Sequence, residues 1–450
     1  MATQQSPAIL GTGNIKKLLI EYSVPAIIGM MASSLYNIVD SIFIGHGVGG
    51  LAISALAITF PFMNLAAAFG ALVGVGGATL VSIKMGQQDQ EGASDVLGNV
   101  VILNIVIGIL FMIAGLLFLD DILLFFGASE NTLPYARDFM RIILYGNIIT
   151  HLYFGLNNIM RSSGYPRKAM ITTLITVLIN IILAPIFIFG FGWGIEGAAM
   201  ATVFAQILTL AWVAWHFFNP KNFIYFESKI FKLKGRIVAG IFSIGMAPFV
   251  LNACGSIVII LINQSLYTYG GDLAIGAYGI INRIAMLFVM IVMGFTQGMQ
   301  PIAGYNFGAQ HYKRVLEVLK LTIIYATVIT TLAFVAGEIF PRQMAMMFTS
   351  DETLIELASN GMRIVFAIFP MVGFQMVVSN FFQSIGKAQK AIFLSATRQL
   401  LFLIPLILIL PKYWETNGIW WSMPISDFIA TITASVLLYL EYKKFKQKMK

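Results

Sequence analysis

The sequence predicts an all-α polytopic membrane protein with twelve transmembrane helices, built as two six-helix bundles related by a parallel internal repeat. Three observations carry that expectation. The first is composition: of 450 residues, 58% are hydrophobic and only 11% charged, with a mean hydropathy of +0.84. Ordinary soluble domains carry about 25% charged residues, and so few charges cannot cover a large water-soluble surface. The second is a set of twelve apolar stretches, each close to the roughly 20 residues that cross a bilayer core. The third is a self-similarity at a single offset, which carries Gly49 through Ala169 onto Gly271 through Ala391. Gly and Pro are scattered without a period, which excludes disordered and fibrous classes. A single cysteine, Cys254, excludes a disulfide framework and a Cys-based metal site.

Breaks at charges, Gly and Pro place the spans near 18–45, 51–82, 96–119, 134–160, 169–191, 194–218, 237–266, 273–304, 317–340, 354–382, 391–411 and 418–441. The longer stretches require tilted or bent helices. The polar first fifteen residues lack a signal peptide with a small-residue cleavage site, so the first span is expected to be retained. Orientation follows from Lys and Arg. With both termini in the cytoplasm, 21 of the 28 basic residues fall on cytoplasmic segments, and the outside loops hold only Arg342 and Lys412. The net charge of +8 is therefore a topology signal and not a footprint for nucleic acid.

Segment 219–236, NPKNFIYFESKIFKLKGR, interleaves basic residues with Phe223, Tyr225, Phe226, Ile230 and Phe231. That pattern reads as a strap on the inner leaflet, with charges up and apolar groups down. Four parts are expected: residues 1–218 as an N-terminal six-helix bundle, 219–236 as a cytoplasmic interfacial linker, 237–442 as a C-terminal six-helix bundle, and 443–450 as a basic cytoplasmic tail.

Sliding the chain against itself gives one productive offset, +222. Gly49, Leu51, Ala52 and Ile53 fall on Gly271, Leu273, Ala274 and Ile275; Gly76, Gly86 and Gln88 fall on Gly298, Gly308 and Gln310. Met140, Arg141 and Ile142 fall on Met362, Arg363 and Ile364, while Ser162, Gly164 and Lys168 fall on Ser384, Gly386 and Lys390. Six spans per half is an even number, so both halves enter from the same side and are related by an axis along the membrane normal. Two such bundles suit alternating access. No G-x-x-x-x-G-K-[ST] loop is present to couple ATP.

A charge at mid-bilayer costs roughly 2.5–3.5 kcal/mol on insertion scales, so each one needs a reason. Asp40 lies in the outer part of span one, with Tyr36 and Asn37 on the same helical face. The repeat sets Ile262 opposite Asp40, so the acid is not a symmetric structural feature. Low dielectric disfavours a carboxylate's charged form, which suits Asp40 to proton uptake. Arg283 in span eight aligns with Pro61 and is equally asymmetric. Arg398 in span eleven and Asp427 in span twelve lie at depths that allow a structural or gating pair. Gln297 and Gln300 lie near the inner half of span eight, as candidate cavity-lining residues or as helix-packing glue.

VDSIFIG (39–45), SSGYPRKAM (162–170) with its counterpart QSIGKAQKA (383–391), QGMQPIAGYNFGA (297–309) and GIWWSMPISDF (418–428) together resemble the multidrug and toxic compound extrusion (MATE) family, in its prokaryotic branches. The resemblance covers nearly the whole chain. It implies a secondary antiporter that exports lipophilic or cationic drugs or toxic metabolites in exchange for H⁺ or Na⁺, and no enzyme. A lipid-linked precursor flippase of related architecture is the alternative.

The resemblance also implies that Asp40 works with Asn180 of span five and with Thr202 and the Ala198 carbonyl of span six. Those oxygens suit Na⁺, a hard cation, and equally suit a protonated Asp40. Members often carry an acid just before the span-five proline, where this chain has Ala184 before Pro185. With one carboxylate fewer, H⁺ is the favoured coupling ion over Na⁺, with no cofactor and no other metal. The substrate pathway is expected to involve Tyr36, Asn37, Arg283, Gln297 and Gln300. The expected partners are a small lipophilic or cationic substrate and membrane lipid, without nucleic acid. A monomer in the cytoplasmic (inner) membrane is expected.

Overall fold

The computed structural model describes residues 8–449; the expectations for the extreme N-terminus and for Lys450 fall partly outside that range. Among the described residues every regular element is helical. Hydrocarbon offers the backbone no hydrogen-bond partners, and a helix satisfies its own N–H and C=O groups within one segment.

Six helices make the first half: α1 (Ile15–Gly47), α2 (Gly50–Gly86), α3 (Gln90–Leu117), α4 (Leu133–Ser162), α5 (Pro166–Gly190) and α6 (Gly194–Phe217). The stretch Gly235–Gly308 runs on for 74 residues. At 1.5 Å per residue that is about 110 Å, far more than a bilayer core of about 30 Å. It is broken at Gly271 (φ 65°, ψ −165°) into α7 (235–270) and α8 (272–308). There follow α9 (Tyr312–Ile339), α10 (Glu352–Phe366 continuing as Phe369–Ser384), α11 (Ala388–Ile409) and α12 (Pro411–Lys448, interrupted at Glu415). With the break counted, the described residues form twelve spans, as expected. The two parts of α10 meet at 53°. The bend falls just before Pro370, whose ring and missing N–H disfavour a continuous helix there.

The repeat is visible in the backbone. Gly49 and Gly271 both take left-handed φ, at 114° and 65°. Gln88 and Gln310 do so at 59° and 62°, and Gly164 and Gly386 at 105° and 71°. Left-handed φ is uncommon for residues other than glycine, so the Gln pair marks the same turn built twice.

Contacts divide the chain into two compact units. One holds residues 8–12 and 28–252, the other 13–27 and 253–449. In the first unit, α7 packs closely on α2: a Cβ on Gly245 would stand 1.8 Å from the Leu72 carbonyl oxygen. In the second unit, α8 packs as closely on the start of α1, where a Cβ on Gly298 would stand 2.2 Å from Ser23 Oγ. Small residues let apolar helices approach where no hydrophobic force drives them together.

Of the expected 219–236 linker, residues 219–234 are irregular apart from one short 3₁₀ turn, Ser228–Ile230, and Gly235 already opens α7. The linker is pinned to the start of α3. Asn99 donates to the Lys232 carbonyl at 3.1 Å and accepts from the Lys234 N–H at 3.0 Å. Gln90 donates to the Phe223 carbonyl at 2.8 Å, and the Lys234 ammonium pairs with Asp95. Phe231 and Leu233 stay exposed.

Candidate functional site

The candidate site lies inside the first unit, where α1, α5 and α6 converge. Its centre is a triad of neutral polar groups. The hydroxyls of Tyr36 and Thr202 stand 2.8 Å apart. The Asn180 amide, one α5 turn before the buried Ala184, has Thr202 Oγ1 at 3.0 Å and Tyr36 Oη at 3.3 Å as acceptors. Thr202 also reaches the Ala198 carbonyl, one turn back on α6, at 3.2 Å. Three helices are thus tied together by oxygens and one amide in an apolar surround.

Asp40 stands one turn from Tyr36 along α1. It is 9% exposed, and its Oδ1 is buried without a hydrogen-bond partner. Buried polar atoms in native proteins almost always find partners. An orphaned carboxylate oxygen beside a polar triad is therefore suited to a proton, a cation or a ligand donor. Tyr36 is within electrostatic reach of this carboxylate. Past Asn180 the α5 helix loosens into a π turn, Ile186–Gly190, directly after Pro185. Proline removes one rung of the helical ladder, and π turns cluster at functional sites.

All four predicted coupling residues, Asp40, Asn180, Thr202 and Ala198, are brought together with Tyr36. The other pathway candidates are dispersed. Asn37 and Arg283 are exposed side chains, while Gln297 and Gln300 are half-buried on α8. In the second unit, Arg398 Nε donates to Asp427 Oδ1 at 2.6 Å, with side chains 25% and 14% exposed. Ser426 donates to the Arg398 carbonyl at 3.0 Å, tying α12 to α11 a second time.

The family follows from two matched stretches. The MatE family profile matches residues 25–186 and again residues 245–409. The chain belongs to the MatE family. Both ends of the second match lie within two residues of where the +222 register puts them, so one family unit is present twice. Among relatives, the multidrug export protein MepA of Staphylococcus aureus (strain N315) is 28% identical over 424 residues, covering 94% of this chain and 93% of its own. A solved outward-facing multidrug resistance MATE transporter of the MOP superfamily superposes with a TM-score of 0.92 at 25% identity, covering 99% of this chain and 100% of that one. A MATE structure described as the bent conformation gives 0.93 at 25% identity, with 99% of each chain covered. This MatE protein is accordingly a multi-pass membrane protein.

The structure also joins polar residues that the sequence did not single out, together with Gln206, which the sequence places on one α6 stripe with Ala198 and Thr202. Thr176 lies 3.1 Å from both the Tyr153 and Thr209 hydroxyls. Thr150 donates to Gln206 at 2.5 Å, and Asn157 donates to Thr173 at 3.3 Å. Their spacings were a usable signal: Thr173, Thr176 and Asn180 share one α5 face, as Thr202, Gln206 and Thr209 share one on α6.

Proposed function

We propose that this MatE protein is a secondary antiporter that exports lipophilic, cationic small molecules from the cytoplasm in exchange for H⁺, with Na⁺ as the second candidate ion. The observation that carries the reading is the orphaned, buried Asp40 carboxylate oxygen beside the Tyr36–Asn180–Thr202 triad. Multidrug export by the MepA relatives supports the substrate class and favours export of drugs over flipping of a lipid-linked precursor. The two bundles expose the site alternately to the two sides of the membrane. Asp40 binds either the ion or the cationic substrate, since one negative charge cannot be neutralised twice. Entry of the ion down the membrane potential supplies about 2.3 kcal/mol per charge per 100 mV.

Ala184 next to Pro185 leaves Asp40 without a second acid on α5. A Na⁺ cage built from one carboxylate, hydroxyls and carbonyls is weaker than one with two carboxylates. A proton needs only the Asp40 oxygen. The positive-inside count supports cytoplasmic termini.

Proteoliposomes preloaded with ethidium test the reading, with a pH gradient and a Na⁺ gradient imposed separately. Export driven by the pH gradient is expected, and Asp40→Asn abolishes it while the protein remains in the membrane. Undiminished export by Asp40→Asn overturns the assignment of Asp40, and ethidium retained under both gradients overturns drug export.

A further inference from the structure

We infer that the hydroxyls of α4, α5 and α6 form a proton relay that connects Asp40 with the end of the first unit carrying Arg161 and Lys168. The inference rests on the proton-coupled reading above. A proton bound at Asp40 from one side has to leave toward the other.

The route is a ladder of polar side chains, one rung per helical turn. Below Asp40 comes the Tyr36–Thr202–Asn180 rung. Next is Thr176, 3.1 Å from both Tyr153 Oη and Thr209 Oγ1, with the Thr150–Gln206 contact beside it. Tyr153 also bonds Thr173, and Asn157 donates to Thr173 at 3.3 Å. Successive rungs on one helix are three or four residues apart, about 5 Å of rise. The relay takes one water molecule at each such step.

The chemistry of each rung fits a relay. A hydroxyl both donates and accepts, and these hydroxyls have two alternative acceptors within reach. Thr176 can turn to the Thr172 carbonyl at 2.8 Å or to either neighbouring hydroxyl. Thr202 can turn to the Ala198 carbonyl or to Tyr36, and Thr209 to the Ala205 carbonyl at 2.8 Å. A rotor with two settings can receive a proton in one and return to rest in the other. The ladder also has an open acceptor at each end: Asp40 Oδ1 at one, and Asn157 Oδ1, buried and unpartnered, at the other. The charged or titratable groups facing it are Asp40, Tyr36, Tyr153 and Arg161.

Hydroxyls that bond the carbonyl four residues back are also ordinary helix-packing glue. The internal repeat separates the two roles. The lowest contact, Asn157 with Thr173, recurs in the second half as Ser379 with Ser395 at 3.4 Å; in both halves that rung also holds two helices together. Higher up, Thr209 recurs as Thr431, which likewise bonds the carbonyl four residues back, but its rung partners Thr176 and Tyr153 do not recur. At the +222 positions, Tyr36 is replaced by Val258, Thr176 by Arg398, Asn180 by Phe402 and Thr202 by Pro424. The middle and upper rungs accompany Asp40, whose own counterpart is Ile262.

In each passage the Asp40 O–H bond breaks and its proton goes to a water between rungs. That water protonates the next hydroxyl oxygen, which releases its own proton onward. One proton leaves at the Asn157 end as hydronium, and one negative charge remains on Asp40. The reversed hydroxyls then rotate back.

The test uses full-length protein in proteoliposomes free of Na⁺, with ethidium as substrate, an internal pH dye, and parallel runs in H₂O and D₂O. Thr176→Val and Tyr153→Phe each remove one hydroxyl with little change of shape. Both are expected to slow pH-driven exchange about tenfold or more and to raise the solvent isotope effect, with ethidium affinity unchanged. Thr176→Ser restores the rate. Rates and isotope effects equal to those of the unsubstituted protein overturn the relay, while inactivity of Asp40→Asn in the same assay leaves the coupling reading intact. If Thr176→Val fails to reach the membrane, Tyr153→Phe, which keeps its ring packing, decides. Ethidium export driven by Na⁺ and indifferent to pH overturns the coupling reading, and the relay with it.

Discussion

Arg398 and Asp427 join α11 to α12 through a 2.6 Å bond from Nε to Oδ1, and Arg398 occupies the repeat position that Thr176 holds in the first half. The second half has therefore placed an ion pair where the first half keeps a hydroxyl. Both partners are mostly buried, so removing one charge strands the other. Truncating one member of a fully buried pair costs about 3–5 kcal/mol; a quarter-exposed arginine can still reach polar surroundings, which lowers the cost to about 2 kcal/mol. Asp427→Asn is expected to lower the unfolding temperature in detergent. The double substitution Arg398→Met with Asp427→Leu is expected to recover most of the loss. A double variant no more stable than Asp427→Asn overturns a structural role for the pair and leaves a functional one.

Thr202 and Tyr36 each contact both other members of the triad, and Thr202 makes one contact more, to the Ala198 carbonyl. Tyr36→Phe removes one hydroxyl and leaves the Asn180–Thr202 bond in place. Thr202→Val removes the shared centre of the Tyr36, Asn180 and Ala198 contacts. Each lost bond is worth about 0.5–1.5 kcal/mol, and about 1.4 kcal/mol is tenfold in affinity. The coupling-ion concentration for half-maximal ethidium export is expected to rise about threefold for Tyr36→Phe and about tenfold for Thr202→Val. Equal effects would place Thr202 at the edge of the site.

The features most legible in the sequence were those that a single segment states alone. Asp40 was visible because an acid inside an apolar span has few neighbours to be confused with. The turn at Gly49 and its copy at Gly271 followed from the offset, and each backbone angle there requires the residue the sequence supplies. The bend in α10 was less legible, because its apolar content continues through Ala367 and Ile368 while Pro370 interrupts only the backbone. The hydroxyl ladder was hidden for another reason. Its spacing on α5 is readable, yet the contacts of Thr176 with Tyr153 and Thr209 depend on how α4, α5 and α6 pack, which no one helix encodes.

Gly245 carries a steric prediction that the protein itself controls. A methyl group there would meet the backbone of Leu72, which cannot rotate away, whereas a methyl on Gly255 meets nothing within 4 Å. Overpacking of this kind costs about 1–3 kcal/mol. Gly245→Ala is expected to lower thermal stability in detergent and to reduce transport, while Gly255→Ala leaves both unchanged. Identical melting of the two variants would show that α7 and α2 separate at little cost.

Asp89, at the turn between α2 and α3, supplies the pH dependence that is clearest in sign. Lys84 donates to Oδ2 at 2.7 Å and the Gly92 N–H donates to Oδ1 at 2.8 Å. The Lys84 bond first, and the Gly92 bond second, hold the carboxyl below the usual carboxylate range. A depressed carboxylate stabilises the fold above its unfolded value, about 3.9, and loses that contribution as pH falls through the folded value. Asp89→Asn keeps an acceptor for Gly92 but loses the charge. Since the pair is partly solvent-exposed, the deficit at neutral pH should stay below about 1 kcal/mol. Melting curves from pH 8 to pH 3 are expected to show a constant gap between the two proteins down to about pH 5 that narrows below about pH 4. A gap as wide at pH 3 as at neutral pH would mean that the amide disturbs the cap itself. At the counterpart turn His311, the N-cap of α9, makes no side-chain cap bond, so the fold tolerates that loss at one of its two equivalent turns.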